Sequence, residues 1–326
     1  MNRRNLLRCA AISAAAMISA SPVLAQAKKV TISHSSPATS HFGLAATAFK
    51  QSVEAKSGGR YQVVVQRLDN EREAMEATQF GAQEFALGST GPAGNFVTDV
   101  RVFDVPFLFR DYAHARGVLD SAIGKQVLAK FEARGLVGMG FGENGFRHLT
   151  TSSKEVKAPV DVKGLKIRTM ENQVHMQAWQ SAGVLPTPMA FSELPPALQQ
   201  GVVDGQENPI PVILSNNFNQ LQKYLFLTGH VYSPGLLVGA ASFMKGLNAA
   251  DRMVFEEASA EAIKVNRNKV EQDERDGVAE LRKRGMDVRE MPNKEAFREA
   301  MATANLGFEK QFGAELLKQI REWKAN

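Results

Sequence analysis

The sequence predicts an α/β protein built as two lobes with a cleft between them. Three observations carry this expectation: a β-α-β opening between Lys29 and Gln66, a chain of ~300 residues once an N-terminal export segment is set aside, and an unbroken helical pattern from Asn248 to Arg284. A β-α-β opening implies a parallel sheet. A chain of that length exceeds what a single core usually occupies. The long segment lacks proline, and at about 1.5 Å per residue it can run past both lobes as a spine.

Residues 1–25 read as a cleaved signal. Arg3, Arg4 and Arg8 precede the small apolar run Ala10 to Ala20, and Val23-Leu24-Ala25 offers a small-residue cleavage site. The run is far shorter than the ~20 residues of a membrane-spanning helix. Arg3-Arg4 ahead of Asn5-Leu6-Leu7 leaves the general and twin-arginine export routes both open. The single cysteine, Cys9, falls inside this segment, so the exported chain carries no thiol, disulfide or Cys-bound metal. The formal charge of +5 drops to +2 with the loss of the three arginines. No basic run or basic-aromatic interleaving is left to recognise nucleic acid or an anionic membrane.

The elements follow in order. Lys29 to Ser33 reads as a strand, and His41 to Ser57 places Leu44, Ala45, Ala48, Phe49 and Val53 on one helical face behind the cap Ser40. Gly58-Gly59 stops that helix, and Tyr61 to Gln66 is β-branched enough for a buried strand. Glu71 to Gly81 reads as a short helix and Phe85 to Leu87 as a third strand. The loop Gly88-Ser89-Thr90-Gly91-Pro92 follows it, where α/β proteins commonly hold ligands. Leu136 to Phe141, Leu165 to Thr169 and Leu185 to Pro188 read as further strands, with the Pro/Ser/Lys-rich stretch after Thr151 as the crossing between lobes.

Several motifs are weighed and set aside. Gly140-Phe-Gly142-Glu-Asn-Gly145 matches the dinucleotide pattern, but Phe146 to Thr151 is β-like and opens no helix to hold a pyrophosphate. The six histidines, His34, His41, His114, His148, His175 and His230, have no zinc-ligand spacing. No Gly-x-Ser-x-Gly elbow and no Walker pattern occur, so the expectation is a protein that is not an enzyme and that uses no cofactor. Two arginines are more informative. In Lys166-Ile167-Arg168-Thr169, an inward Ile167 sends Arg168 to the opposite face near the strand's end. Arg147 ends a short apolar approach. A guanidinium suits a carboxylate because its planar fork presents two parallel N–H donors, although an arginine so placed is more often a solvated surface residue.

Pro186-Thr-Pro-Met-Ala-Phe-Ser-Glu193 followed by Ala197-Leu-Gln-Gln-Gly-Val-Val-Asp-Gly-Gln-Glu-Asn-Pro209 closely resembles the substrate-binding proteins of TRAP transporters, the tripartite ATP-independent periplasmic carboxylate importers. Phe103-Asp-Val-Pro-Phe-Leu-Phe-Arg110, Glu143-Asn-Gly-Phe-Arg147 and Gly164-Leu-Lys-Ile-Arg168 resemble the same family in the same order. The likeness covers nearly the whole exported chain. It implies a two-lobed periplasmic-binding-protein-like fold of dicarboxylate-binding type, with lobe I formed by 27–146 plus 234–273 and lobe II by 147–233 plus 274–326.

The resemblance also implies a site. Arg168 is similar to the family's principal carboxylate clamp, Arg147 to its supporting arginine, Asn208 to the pocket amide and Phe191 to the apolar wall. Glu71, Arg72, Ser89 and Thr90 would be the first lobe's contribution, with His34 or Ser35 from the first strand end. Where sialic-acid binders of the family place an acidic residue after the third strand this chain has Ser89, which points to a smaller acid. The expected ligand is a C4-dicarboxylate, with a sugar acid or a small hydroxy or keto acid next. The expected partners are membrane permease subunits, with two alternatives: a sensory receptor serving a membrane kinase, or a secreted enzyme on the same fold. Two departures bear on pocket shape. Pro195-Pro196 stands in the first turn of the helix before Gly201, and Arg67-Leu-Asp-Asn70 replaces a Gly-containing turn ahead of Glu71.

Overall fold

The computed structural model describes residues 26–324 apart from 292, so the expected signal lies outside the described residues. Among these, nine strands form one sheet: β1 (Lys28–His34), β2 (Tyr61–Arg67), β3 (Phe85–Ser89), β4 (Leu136–Thr151), β5 (Lys166–Thr169), β6 (Leu185–Pro188), β7 (Gly205–Pro209), β8 (Tyr224–Ala240) and β9 (Asp287–Arg289). The order is β2-β1-β3-β8-β4-β7-β5-β6, with β9 paired to β8. β1 lies parallel to β2 and β3, and β5 parallel to β6 and β7. The two long strands β4 and β8 run antiparallel to each other down the middle.

The opening forms as its pattern dictates. Ser40 accepts from the Gly43 amide at 3.1 Å to start the helix His41–Lys56. Gly58 and Gly59, at φ 60° and 80°, supply the left-handed turn after it. Phe49, Phe85 and Phe255 bury together between that helix, the sheet and the long helix Ala249–Lys283. The latter spans about 52 Å. Asn248 caps it, and it packs against the helix His41–Lys56, β4 and the helix Ile210–Ser215. Leu194, Ile210, Phe218, Leu225 and Leu281 form a second core at the other end of the sheet. A third, containing Phe103, Phe141, Trp179 and Phe226, lies between.

The crossing between the lobes differs from the sequence expectation. The Pro/Ser/Lys-rich stretch after Thr151 carries a single 3-10 turn, Pro159–Val162, and simply leads into β5. β4 and β8 make the crossing themselves. The part of β4 from Leu136 to Gly142 pairs with Gly235–Ala240, next to β3. Its remainder pairs with β7 and with the first half of β8. Register shifts fall at Gly138/Gly140, Glu143/Gly145 and Arg147/Leu149, where bulges let a continuous strand bend and twist. The segment that resembled a dinucleotide loop is therefore the middle of a strand. At the C-terminus, His114 Nε2 lies 2.7 Å from the Ile320 carbonyl and the Arg110 Nη2 donates to the Trp323 carbonyl at 3.0 Å. These bonds join residues that the sequence reading allots to different lobes.

Candidate functional site

A cavity lies where the strand ends of the two lobes meet. The β1–β3 side of the sheet supplies Ser35, Glu71 and Ser89 to its walls, and the β5–β7 side supplies Arg168, Phe191 and Asn208; Arg72 also reaches it. Each comes from a turn or strand end fixed by local chemistry. Asn70 caps the helix Glu71–Gln79 by accepting from the Arg72 and Glu73 amides, so Arg67-Leu-Asp-Asn70 turns the chain as well as a glycine would. Both prolines of Pro195-Pro196 sit in the first turn of the helix Leu194–Gln199, where the amides they lack would have no helical partner.

Arg168 projects from β5, whose Ile167 is fully buried in the core. The residue is 2% exposed. Nε and Nη2 donate to the Met189 carbonyl at 3.2 and 2.8 Å, and Phe191 lies 5.9 Å from the guanidinium carbon. That carbonyl is held by the turn into Phe191–Glu193, where Glu193 accepts from the Ala190 amide at 2.8 Å. Among the described residues Nη1 has no acceptor, and no carboxylate stands within ion-pair distance. Burial pulls the guanidinium down to about 10, Arg147 adds to this, and Glu207, Glu71 and Glu171 oppose it. It is charged at neutral pH, with the Met189 carbonyl as its bonded acceptor and the three carboxylates acting on it only from beyond ion-pair distance.

Arg147 stands elsewhere. It is fully buried behind the cavity and pairs with Glu207, Nε to Oε2 at 2.5 Å and Nη2 to Oε1 at 2.8 Å. Nη2 also reaches Asn208 Oδ1 at 3.2 Å. Asn208 in turn donates to Gln206 Oε1 at 2.5 Å, so the amide that lines the cavity is oriented from both ends. Burial pushes the Glu207 carboxyl up, but Arg147 and a bond from His230 overcome that and hold it below the usual range. His175 lies between carboxylates, 3.7 Å from Asp104 and 3.9 Å from Glu207. Its desolvation lowers it to about 3 and keeps it neutral.

The first-lobe residues divide as well. Glu71 accepts from Ser35 Oγ at 2.7 Å, from the Ser89 amide at 2.8 Å and from Ser89 Oγ at 3.3 Å. Arg72 bonds Glu76 at 3.0 Å on the half-exposed rim. Thr90 does not reach the cavity: it donates to Asp104 at 2.9 Å in the layer behind, where Asn172 also donates to Asp104 at 2.9 Å. Burial lifts Asp104 to about 7. His34 is likewise buried off the cavity, its Nδ1 accepting from the Ser36 amide. Sequence reasoning missed Asn144, which meets His41 at 3.0 Å and donates to Ser89 at 3.1 Å. It stands inside the Glu143-Asn-Gly-Phe-Arg147 motif, so the signal was present. Glu207, Met170 and Glu171 were also missed. Among the described residues no group of three or more His, Cys, Asp or Glu side chains is arranged to hold a metal.

The family profile described as "Bacterial extracellular solute-binding protein, family 7" matches residues 32–311. The chain belongs to that family. A solute-binding protein of Verminephrobacter eiseniae is 49% identical over 293 residues, 89% of this chain and 88% of that one. The crystal structure of a TRAP periplasmic solute-binding protein from Polaromonas sp. JS666 bound to D-erythronate is 49% identical. It superposes with a TM-score of 0.89 over 92% of this chain and 100% of that one. One from a Bordetella species, with density assigned to pantoate, is 46% identical, with a TM-score of 0.90 over 91% and 100%. The protein is thus a TRAP-type solute-binding protein with the two-lobed fold of that family, which consists of receptors and not enzymes. The family works outside the cytoplasm, in keeping with the export signal read from residues 1–25. No helix among the described residues is long and apolar enough to cross a membrane.

Proposed function

We propose that this protein is the periplasmic receptor of a TRAP importer, that it captures a small hydroxylated monocarboxylate between its lobes through Arg168, and that it delivers the ligand to membrane permease subunits. The observation that carries the reading is the Arg168 guanidinium, buried at the cavity wall with no carboxylate of its own. A buried charge without a counter-ion is costly, and a ligand carboxylate supplies the missing acceptor in the forked geometry that an arginine favours. Asn208 both donates and accepts beside it, Phe191 covers it, and Arg147 acts at one remove by fixing Asn208. Of the ligand classes that the sequence suggests, hydroxy and sugar acids are favoured, because D-erythronate and pantoate are both hydroxylated monocarboxylates on a four-carbon chain. The division into lobes at 146/147 and 233/234 belongs to the same reading, and it is supported by register shifts close by in the β4–β8 pair, at Glu143/Gly145 opposite Pro234/Ser233 and at Arg147/Leu149.

The test is calorimetric titration and thermal shift with D-erythronate, pantoate and succinate. At ~100 times its dissociation constant a ligand adds about 2.7 kcal/mol of stability. Arg168→Ala is expected to abolish binding with the fold intact, and Arg168→Lys to retain only a fraction because the fork is lost. Wild-type titration by either variant overturns the clamp. Loss of uptake on deleting the permease subunits supports delivery, and unimpaired uptake points instead to a sensory partner.

A further inference from the structure

We infer that Glu171, together with Glu71, makes the cavity select a singly charged, hydroxyl-bearing acid and reject a dicarboxylate of the same length. The inference rests on the proposed reading of Arg168 as the carboxylate site. Glu171 lines the same cavity three residues beyond Arg168. It sits in the short loop between β5 and the helix Gln173–Ser181. That loop is fixed at its far end by the buried Asn172, which accepts from the Val174 amide at 2.9 Å and donates to Asp104 at 2.9 Å. The Glu171 carboxylate makes no hydrogen bond or ion pair within the described residues, so both of its oxygens are free to accept.

Glu71 presents a second carboxylate to the same space, with Ser35 and Ser89 already donating to it. Arg72 balances Glu171 only in part, because its guanidinium is bonded to Glu76 and half exposed and acts on Glu171 through space without an ion pair. The part of the lining formed by Glu71 and Glu171 is therefore rich in acceptors and negative, although both carboxylates also act on Arg168 through space. A carboxylate can only accept, so it needs a donor from the ligand tail. A hydroxyl supplies one. A second carboxylate supplies none and is repelled, and like-charge juxtaposition is an effective means of excluding a wrong partner.

Calorimetry on the full exported protein, with D-erythronate and succinate as probes, tests this. The wild type is expected to prefer D-erythronate by at least about tenfold, or about 1.4 kcal/mol. Glu171→Gln is isosteric and touches no partner, so it is expected to melt like the wild type while narrowing that preference by about tenfold, with weaker D-erythronate and tighter succinate binding. A preference that stays within about twofold of the wild-type ratio in Glu171→Gln overturns the inference. A wild type that binds succinate more tightly than D-erythronate also overturns it, while leaving the receptor reading intact provided that Arg168→Ala still abolishes succinate binding. If the wild type binds neither probe nor pantoate, the receptor reading falls and the inference with it.

Discussion

Glu207→Gln separates the work of the two arginines. Arg147 and Glu207 are both fully buried and joined by two bonds at 2.5 and 2.8 Å. The amide keeps the size of the carboxylate but loses its charge, and it turns a donor toward either Arg147 or His230, which meets Glu207 Oε2 at 3.0 Å. Removing one member of a buried pair strands the other, at a cost of about 3–5 kcal/mol. At about 2–4 °C per kcal/mol for a protein of this class, the ligand-free melting temperature should fall by about 6–20 °C. Arg147→Met combined with Glu207→Gln removes the stranded charge, so the double variant should recover at least about 2 kcal/mol relative to the sum of the singles. Urea unfolding followed by circular dichroism measures all four proteins. A loss under about 1 kcal/mol in Glu207→Gln, or singles that add within about 0.5 kcal/mol, refutes the structural role given to this pair.

The sign of its pH dependence follows from the depressed Glu207 carboxyl. A carboxyl lowered on folding contributes stability that is full above its unfolded value, here 4.5, and that is lost as pH falls below it. The deficit of Glu207→Gln should therefore be constant from about pH 6 to 8 and shrink toward pH 3. A deficit that grows on acidification contradicts the assignment.

Two further outcomes are expected. Burial lifts the Glu274 carboxyl on the long helix from 4.5 to about 7. A group raised on folding stabilises below its unfolded value and loses that contribution as pH rises through 7, so Glu274→Gln should match the wild type near pH 4 and exceed it by up to about 3 kcal/mol at pH 8. Equal melting differences at the two pH values would sink that account. A Cβ at Gly142 would stand 2.6 Å from Asn266 Oδ1, which accepts from the Glu143 amide while Asn266 Nδ2 donates to the Glu143 carbonyl at 3.1 Å. Gly142→Ala should thus cost about 1–3 kcal/mol in urea unfolding, and unchanged stability would mean that this strap between helix and strand yields freely.

What was legible in the sequence is what short-range physics encodes. β1, β2, β6 and the helix His41–Lys56 could be read because alternation, a cap and a paired-glycine stop are local. For Arg168 the alternation gave only a side opposite Ile167 and favoured a solvated residue; the family resemblance pointed to a site, and the burial of Arg168 alongside Ile167 was not legible locally. β8 was not read at all: Thr228, His230, Ser233 and Pro234 interrupt its apolar run, yet Thr228, His230 and Ser233 are buried, so no period of two survives. β4 was read as two pieces because Gly138, Gly140, Gly142 and Gly145 erase its pattern. Two of these glycines are demanded by contacts far along the chain, where a Cβ would meet Ile263 at 2.4 Å or Asn266 at 2.6 Å. The partner of Arg147 was invisible for the same reason, as Glu207 lies 60 residues away.

Arg147 and Arg168 carry the same chemical group to within the same buried region, and under the proposed reading their surroundings give them different tasks. Glu207 pairs with Arg147 inside the protein, so on the proposed reading that side chain acts through the Asn208 amide it orients, although its Nη1 also has no acceptor among the described residues. Arg168 receives the Met189 carbonyl and the face of Phe191 but, among the described residues, no carboxylate within ion-pair distance. At about 10 its guanidinium still holds its proton at pH 7, so it cannot escape the cost of burial by becoming neutral. If Arg168 is the clamp proposed above, a closed cleft without ligand leaves that charge without an ion-pair partner, whereas a closed cleft around a carboxylate would pair it. The difference between those two closed states is the differential affinity by which a ligand can shift the lobes. On that reading, an unpaired Arg147 behind the cavity would raise the cost of the empty closed form without adding a fork for a single carboxylate, and its pairing with Glu207 avoids that cost.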